Sequence, residues 1–168
     1  MKSNLAFEFR VNKEDNTILI IREFAADLAL VWDAYTKPEL LDQWWAPKPW
    51  KARTKSMEFR EGGFWHYAMV GPEGEEHWSY VEFVKIVLHK LYTGTDCFAD
   101  ADANINRELP QSRWEVTFTG KSEEVTLVEY AINFPDLAQL EATIDMGFKE
   151  GMTMALDGLD DLLAFITK

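Results

Sequence analysis

The sequence predicts an α+β fold: a curved antiparallel sheet with two short helices and one long C-terminal helix across it. Three observations predict it. Strand-like segments separated by short turn-rich connections fill residues 54–133, the texture of an antiparallel meander. A stripe of apolar and small residues at helical spacing then runs on to about Ile166. Before the meander, residues 27–45 carry helical periodicity in two short pieces.

The elements follow in order. "LAFEFRV" alternates, "NKEDN" supplies turn chemistry and "TILIIREF" is β-branched and apolar, so the chain opens on a hairpin. Asp27 is placed to cap a helix in which Leu28, Val31, Trp32 and Tyr35 form a core-facing stripe. Thr36 and Glu39 have the spacing of a capping box around Pro38, which predicts a second short helix through "ELLDQWW", ended by Pro47 and Pro49. Strands are expected at "TKSMEF", "GFWHYAMV", "HWSYVEFVKI", "KLYTGTDCF", "RWEVTFT" and "EVTLVEYAIN". Gly62-Gly63, "GPEG" and "TGKSEE" punctuate them. Asp136 and Gln139 resemble a capping box that opens a continuous helix to about Ile166, with a stripe of Leu140, Ile144, Gly147/Phe148, Gly151, Ala155, Leu159, Leu162 and Ile166.

Composition narrows the function classes. The 168 residues have the length of one ordinary domain, without a repeat or linker to divide them, so residues 1–168 are read as a single domain. At 47% apolar and 27% charged the chain is globular, and a lone cysteine, Cys97, rules out an intrachain disulfide. The N-terminal "MKSNLAFEFRV" lacks the apolar run of a signal peptide and "ILII" is far too short to span a bilayer, which together predict a cytoplasmic protein without membrane insertion. A net charge of −12 with no lysine/arginine cluster argues against nucleic acid. Edge strands and surface tryptophans such as Trp78 need cover, which a homodimer would supply.

Three stretches, "VWDAYTKPELLDQWWAP", "MEFREGGFWHYAM" followed by "GPEG", and "MGFKEGMTMALDGLDDLL", resemble the signatures of SRPBCC proteins. The subgroup is the one similar to the C-terminal domain of the activator of 90-kDa heat-shock protein ATPase. The resemblance covers nearly the whole chain and is weakest at residues 1–16 and 99–112. It implies the START-like, birch-pollen-allergen helix-grip fold, whose members are mostly described as ligand binders; fold alone does not carry function. It also implies two other readings: an interaction module that contacts a chaperone ATPase, and a cyclase-like enzyme of the same superfamily.

The candidate site is built from three sources. On "GFWHYAMV", Trp65, Tyr67 and Met69 share one face and Phe64, His66 and Ala68 the other; Trp114, Val116 and Phe118 align in the same way. The aromatic sets are assigned to the concave side, either as core packing or as the lining of a pocket with few polar tips, where Tyr67 and the Trp65 indole N–H would orient a ligand. On the long helix, Gly147, Gly151 and Gly158 would each cost about 1 kcal/mol relative to alanine. Gly147, Gly151 and Ala155 share a face beside Phe148, Met152 and Met154, which provides either close helix-on-sheet packing or clearance for a ligand. At "DQWWAPKPW", Trp44 and Trp45 point about 100° apart on a helix, so one enters the core and the other lies along the bend, with Trp50 returning to the same corner as a plug or a lid. The expected ligand-binding residues are Trp32 and Trp45 from the short helices, Trp65, Tyr67, Met69, Trp114 and Phe118 from the sheet, and Phe148, Gly151 and Met152 from the long helix.

Catalytic and metal patterns are mostly missing. His66, His77 and His89 lack metal or zinc-protease spacing, and His66 is expected at a solvent-facing or edge position. Asp100, Asp102 and Asn104 match the first half of an EF-hand loop, but Ile105 and Gln111 stand where glycine and glutamate are needed. Glu58, Asp96 and Glu129 become buried acids only if a partner such as Arg113 reaches them. No catalytic residue, metal or cofactor is assigned, and the enzyme reading rests on Tyr67 alone. The leading expectation is a binder of a small apolar or amphipathic ligand held between the sheet and the C-terminal helix.

Overall fold

Alternation along the strands decides the architecture. In a computed structural model that describes residues 5–167, eight strands form one antiparallel sheet. They are β1 (Phe7–Asn12), β2 (Thr17–Phe24), β3 (Lys51–Glu58), β4 (Phe64–Val70), β5 (Glu76–Val87), β6 (Leu91–Ala99), β7 (Ser112–Gly120) and β8 (Thr126–Asn133). Their spatial order is β1-β2-β8-β7-β6-β5-β4-β3. The meander β3 to β8 therefore closes back on the opening hairpin, with Thr17 opposite Asn133 and Phe24 opposite Thr126. Residues 1–4 of the N-terminal stretch lie outside the described residues.

Helices α1 (Leu28–Thr36) and α2 (Pro38–Trp44) are inserted between β2 and β3. Asp27 caps α1 by accepting the Leu30 N–H at 3.3 Å. The stripe of α1 enters the core, and the Tyr35 hydroxyl meets that of Tyr130 on β8. The Thr36 capping box does not form. Thr36 is still helical, as the last residue of α1, and its hydroxyl donates to the Trp32 carbonyl at 2.8 Å. Lys37 occupies the N-cap of α2 without a side-chain bond, and Pro38 opens the helix where its missing N–H costs nothing.

The C-terminal helix is broken, which corrects the continuous helix expected. It consists of α3 (Leu137–Asp145) and α4 (Phe148–Ile166), joined at Gly147 with φ of 88°. This is left-handed backbone, which a side chain disfavours, so Gly147 is a joint and carries no helix-interior penalty. Asp136 caps α3 through the Gln139 N–H at 2.8 Å, while the Gln139 side chain turns away to accept the Gln111 N–H at 3.0 Å.

Leu156, Leu159 and Leu163 of α4 are buried in the core. Arg22 of β2, 9% exposed, pins the same stretch of helix: its guanidinium meets Asp157 at 3.0 Å and sits 4.8 Å from the Phe7 ring centre. Nearer the joint, around Gly147 and Gly151, the segment leaves space above the sheet.

On the other face of β4, His66 is not solvent-facing as expected. It is 3% exposed, its Nε2 lies 2.8 Å from the Asp100 carbonyl oxygen, and the Trp78 ring is 4.8 Å away. The loop after β6 folds over it. Asp100 holds that loop by accepting the N–H groups of Asp102 at 2.9 Å and Asn104 at 2.8 Å, so its carboxylate is spent on its own backbone.

Candidate ligand-binding cavity

A cavity of about 380 Å³ lies between the concave face of the sheet, the bend after α2 and the α3–α4 joint. Strand period places its floor: Tyr67 and Met69 of β4, Ser79 of β5, Asp96 and Phe98 of β6, Ser112 and Trp114 of β7 and Ile132 of β8 all line it. Met146, Gly147, Phe148, Gly151 and Met152 form its roof, and Trp45, Pro47 and Trp50 stand at one side.

The bend explains the concentration of indole. Trp44 is core, 2% exposed, with its indole N–H donating to the Ala34 carbonyl at 2.9 Å. Trp45 turns the other way and donates to the Tyr67 hydroxyl at 2.9 Å. Its ring meets those of Trp65 at 5.5 Å and Trp114 at 6.1 Å, so it is a fixed side wall. Trp50 returns to the cavity rim against His77, at 5.2 Å. The Trp114 N–H donates to the Ser112 hydroxyl at 2.8 Å, and its ring stands 6.1 Å from Phe148. At Gly151 a β-carbon would meet only Pro47, at 3.7 Å, so this glycine borders open space.

Seven of the ten expected residues therefore meet at one wall: Trp45, Tyr67, Met69, Trp114, Phe148, Gly151 and Met152. Three lie elsewhere. Trp65 has the predicted facing but stacks on Tyr67, with ring centres 4.0 Å apart, and gives its N–H to the Thr54 hydroxyl at 3.0 Å. Trp32 and Phe118 meet each other at 5.0 Å in a separate, filled cluster with Phe59 and Tyr92.

Asp96 is the carboxyl of the floor. It lies opposite Val81 on one side and Ser112 on the other, in the middle of the sheet. Its Oδ1 is closed off from solvent and meets no hydrogen-bond partner among the described residues. Burial pushes its carboxyl up to about 7. Arg113 does not reach it: in register with Thr95, one residue away, Arg113 is exposed. Burial, and then the nearby Asp96, push the Tyr67 hydroxyl well above the ordinary tyrosine range, so it stays protonated and is a poor base.

Comparison with known proteins agrees with the fold. Residues 25–164 match the family described as Activator of Hsp90 ATPase homolog 1-like protein. The chain belongs to this family. The Hsp90 ATPase activator homolog-like fold is also found in the crystal structure of protein Ms6760 from Mycobacterium smegmatis, 31% identical, with a TM-score of 0.85 over 95% of this chain and 96% of that one. A solution structure of a protein from Arthrobacter aurescens is 29% identical, with a TM-score of 0.87 over 94% and 91% of the two chains. One from Staphylococcus epidermidis is 27% identical, with a TM-score of 0.80 over 92% and 93%. No curated protein matches the chain. No helix among the described residues is long and apolar enough to cross a membrane.

Within this member of the family, Asp96 is a wall residue that the sequence offers only as a buried acid partnered by a group such as Arg113, and it stands outside the expected binding set, as do Ser79, Phe98, Ser112 and Ile132. The signal was present: Tyr92, Gly94, Asp96 and Phe98 alternate in "LYTGTDCF", which puts a carboxyl on an aromatic, inward-facing register.

Proposed function

We propose that this protein binds a small apolar or amphipathic molecule between the sheet and the α3–α4 joint. The observation that carries the reading is a cavity of about 380 Å³ whose wall is rich in aromatic and thioether side chains, with a few hydroxyls and one carboxyl. Pockets of this size and lining bury most of a small ligand, and the apolar surface removed from water supplies the driving force. Gly151 supports it, because an alanine would be the better helix former and nothing but Pro47 stands in its way. The lone cysteine and the acidic composition suit a cytoplasmic setting.

The test is native mass spectrometry of freshly purified protein, followed by thermal unfolding against a panel of lipids and aromatic metabolites. A bound mass, or a panel member that stabilises the fold, is expected; at a hundredfold excess over Kd the gain is about 2.7 kcal/mol. A protein that carries nothing and responds to nothing in the panel would overturn the reading. The family's description names an activator of Hsp90 ATPase, so contact with that chaperone is the second reading. Absence of both ATPase stimulation and co-purification would remove it.

A further inference from the structure

The cavity has a charge inventory that restricts its occupant. Among the described residues its wall contains no lysine or arginine, so a carboxylate or phosphate headgroup would find no cation there. It does contain Asp96, half-buried, with one oxygen sealed from solvent and unmatched among the described residues, so an occupant would reach the carboxyl through its other oxygen. A buried carboxyl left without a donor is costly, and the cost falls when a bound group supplies one. The rings of Trp45, Tyr67, Trp114 and Phe148 line the same chamber. Electron-rich ring faces attract cations, above all where water is excluded. A net charge of −12 adds a field that gathers cations and repels anions.

We propose that the ligand is an organic ammonium ion: an apolar body of roughly bicyclic size carrying a protonated amine, whose N–H donates to Asp96 among the rings of Trp45, Tyr67, Trp114 and Phe148. This rests on the ligand-binding reading above and adds the chemical class. Ser79 and Ser112, also on the wall, offer hydroxyls for a second polar group of the same ligand.

The assignment has a proton balance. In the empty protein Asp96 holds its proton up to about pH 7, so below that point an arriving ammonium ion converts the acid to carboxylate and one proton leaves to solvent. The other titratable groups at the wall are Tyr67 on β4, His77 on β5 and Cys97 on β6; β7, β8, α3 and α4 present none there. Tyr67 and Cys97, the latter pushed up to about 11, stay protonated throughout. His77 is separated by a variant.

The experiment is calorimetric titration with tryptamine, its alcohol analogue tryptophol and its acid analogue indole-acetate, near pH 6.5 in two buffers of different ionisation enthalpy. Tryptamine is expected to bind about tenfold or more tightly than tryptophol, with indole-acetate weakest and about one proton released per amine bound. The proton release is expected to persist in His77→Gln. In Asp96→Asn the amine preference and the proton release are expected to vanish. A cooperative urea transition certifies that the variant is folded, and the wild-type comparison of the three probes stands without it. If tryptophol binds wild-type protein as tightly as tryptamine, or the variant keeps the preference, the ammonium assignment fails and the ligand-binding reading survives. If none of the three probes binds, the ammonium assignment falls with the cavity it was assigned to.

Discussion

Asp96 shares one chamber with the rings of Trp45, Tyr67 and Trp114. Alternation orients a side chain to one face of the sheet, but it does not say whether another ring closes over it. Trp65 and Tyr67 share a face; only Tyr67 meets the cavity, because it stacks on Trp65 and covers it. The carboxyl of Asp96 leads to a measurable sign. Its ordinary value is 3.8 and the folded value about 7, so between those limits the folded protein holds more protons than the unfolded chain. Stability from this group is therefore lost as pH rises through that window, by at most about 1.4 kcal/mol per unit, and is flat above it. Asp96→Asn carries no such loss. The stability of Asp96→Asn relative to wild type should increase between about pH 5 and about pH 8, read by urea unfolding at both. An unchanged difference would mean that the carboxyl is solvated.

Among the elements, the C-terminal segment was legible as helical and illegible as two helices. Its apolar stripe passes through the joint without a gap, so periodicity alone cannot detect a single left-handed residue, and glycine inside a helical pattern reads equally as a weak point or a packing device. The structure separates two glycines four residues apart. Gly147, with φ of 88°, would be strained by any β-carbon, so Gly147→Ala should destabilise by about 1–2 kcal/mol. Gly151 is helical and open, so Gly151→Ala should stabilise by up to about 1 kcal/mol. Chemical denaturation of both variants checks the pair, and equal signs would contradict the break. Thr36 taught a related lesson: the spacing of a capping box was present, but α1 claimed the residue first. The strands were the most legible, since alternation and turn residues recur across β4 to β8; β3 was expected three residues late, at Thr54 instead of Lys51.

For the molecule as a whole, the antiparallel meander, the two short helices and the covering C-terminal segment followed from pattern and resemblance, and a ligand space between sheet and helix was expected, whereas the pairing of β8 with β2 and the place of the cavity at the α3–α4 joint were not. The cavity arises from an asymmetry in tertiary packing. The far part of α4 is clamped by Leu156, Leu159, Leu163 and the Arg22–Asp157 pair, while Phe148, Gly151 and Met152 roof an open space. Local stability should follow the same division. Amide hydrogen exchange in residues 148–152 is expected to be at least about tenfold faster than in residues 156–163, and a bound ligand should slow the first set selectively. Uniform protection along α4 would refute the asymmetry.

The hydrogen bond from Trp45 to Tyr67 has a practical outcome. It holds one indole at the chamber's edge while Trp44, Trp65 and Trp114 stand within 5.3–6.1 Å of it, close enough for excitation to pass among them. Whatever enters beside Trp45 alters the surroundings through which all four relax. The protein thus carries an intrinsic optical gauge of its own occupancy, with no dye attached.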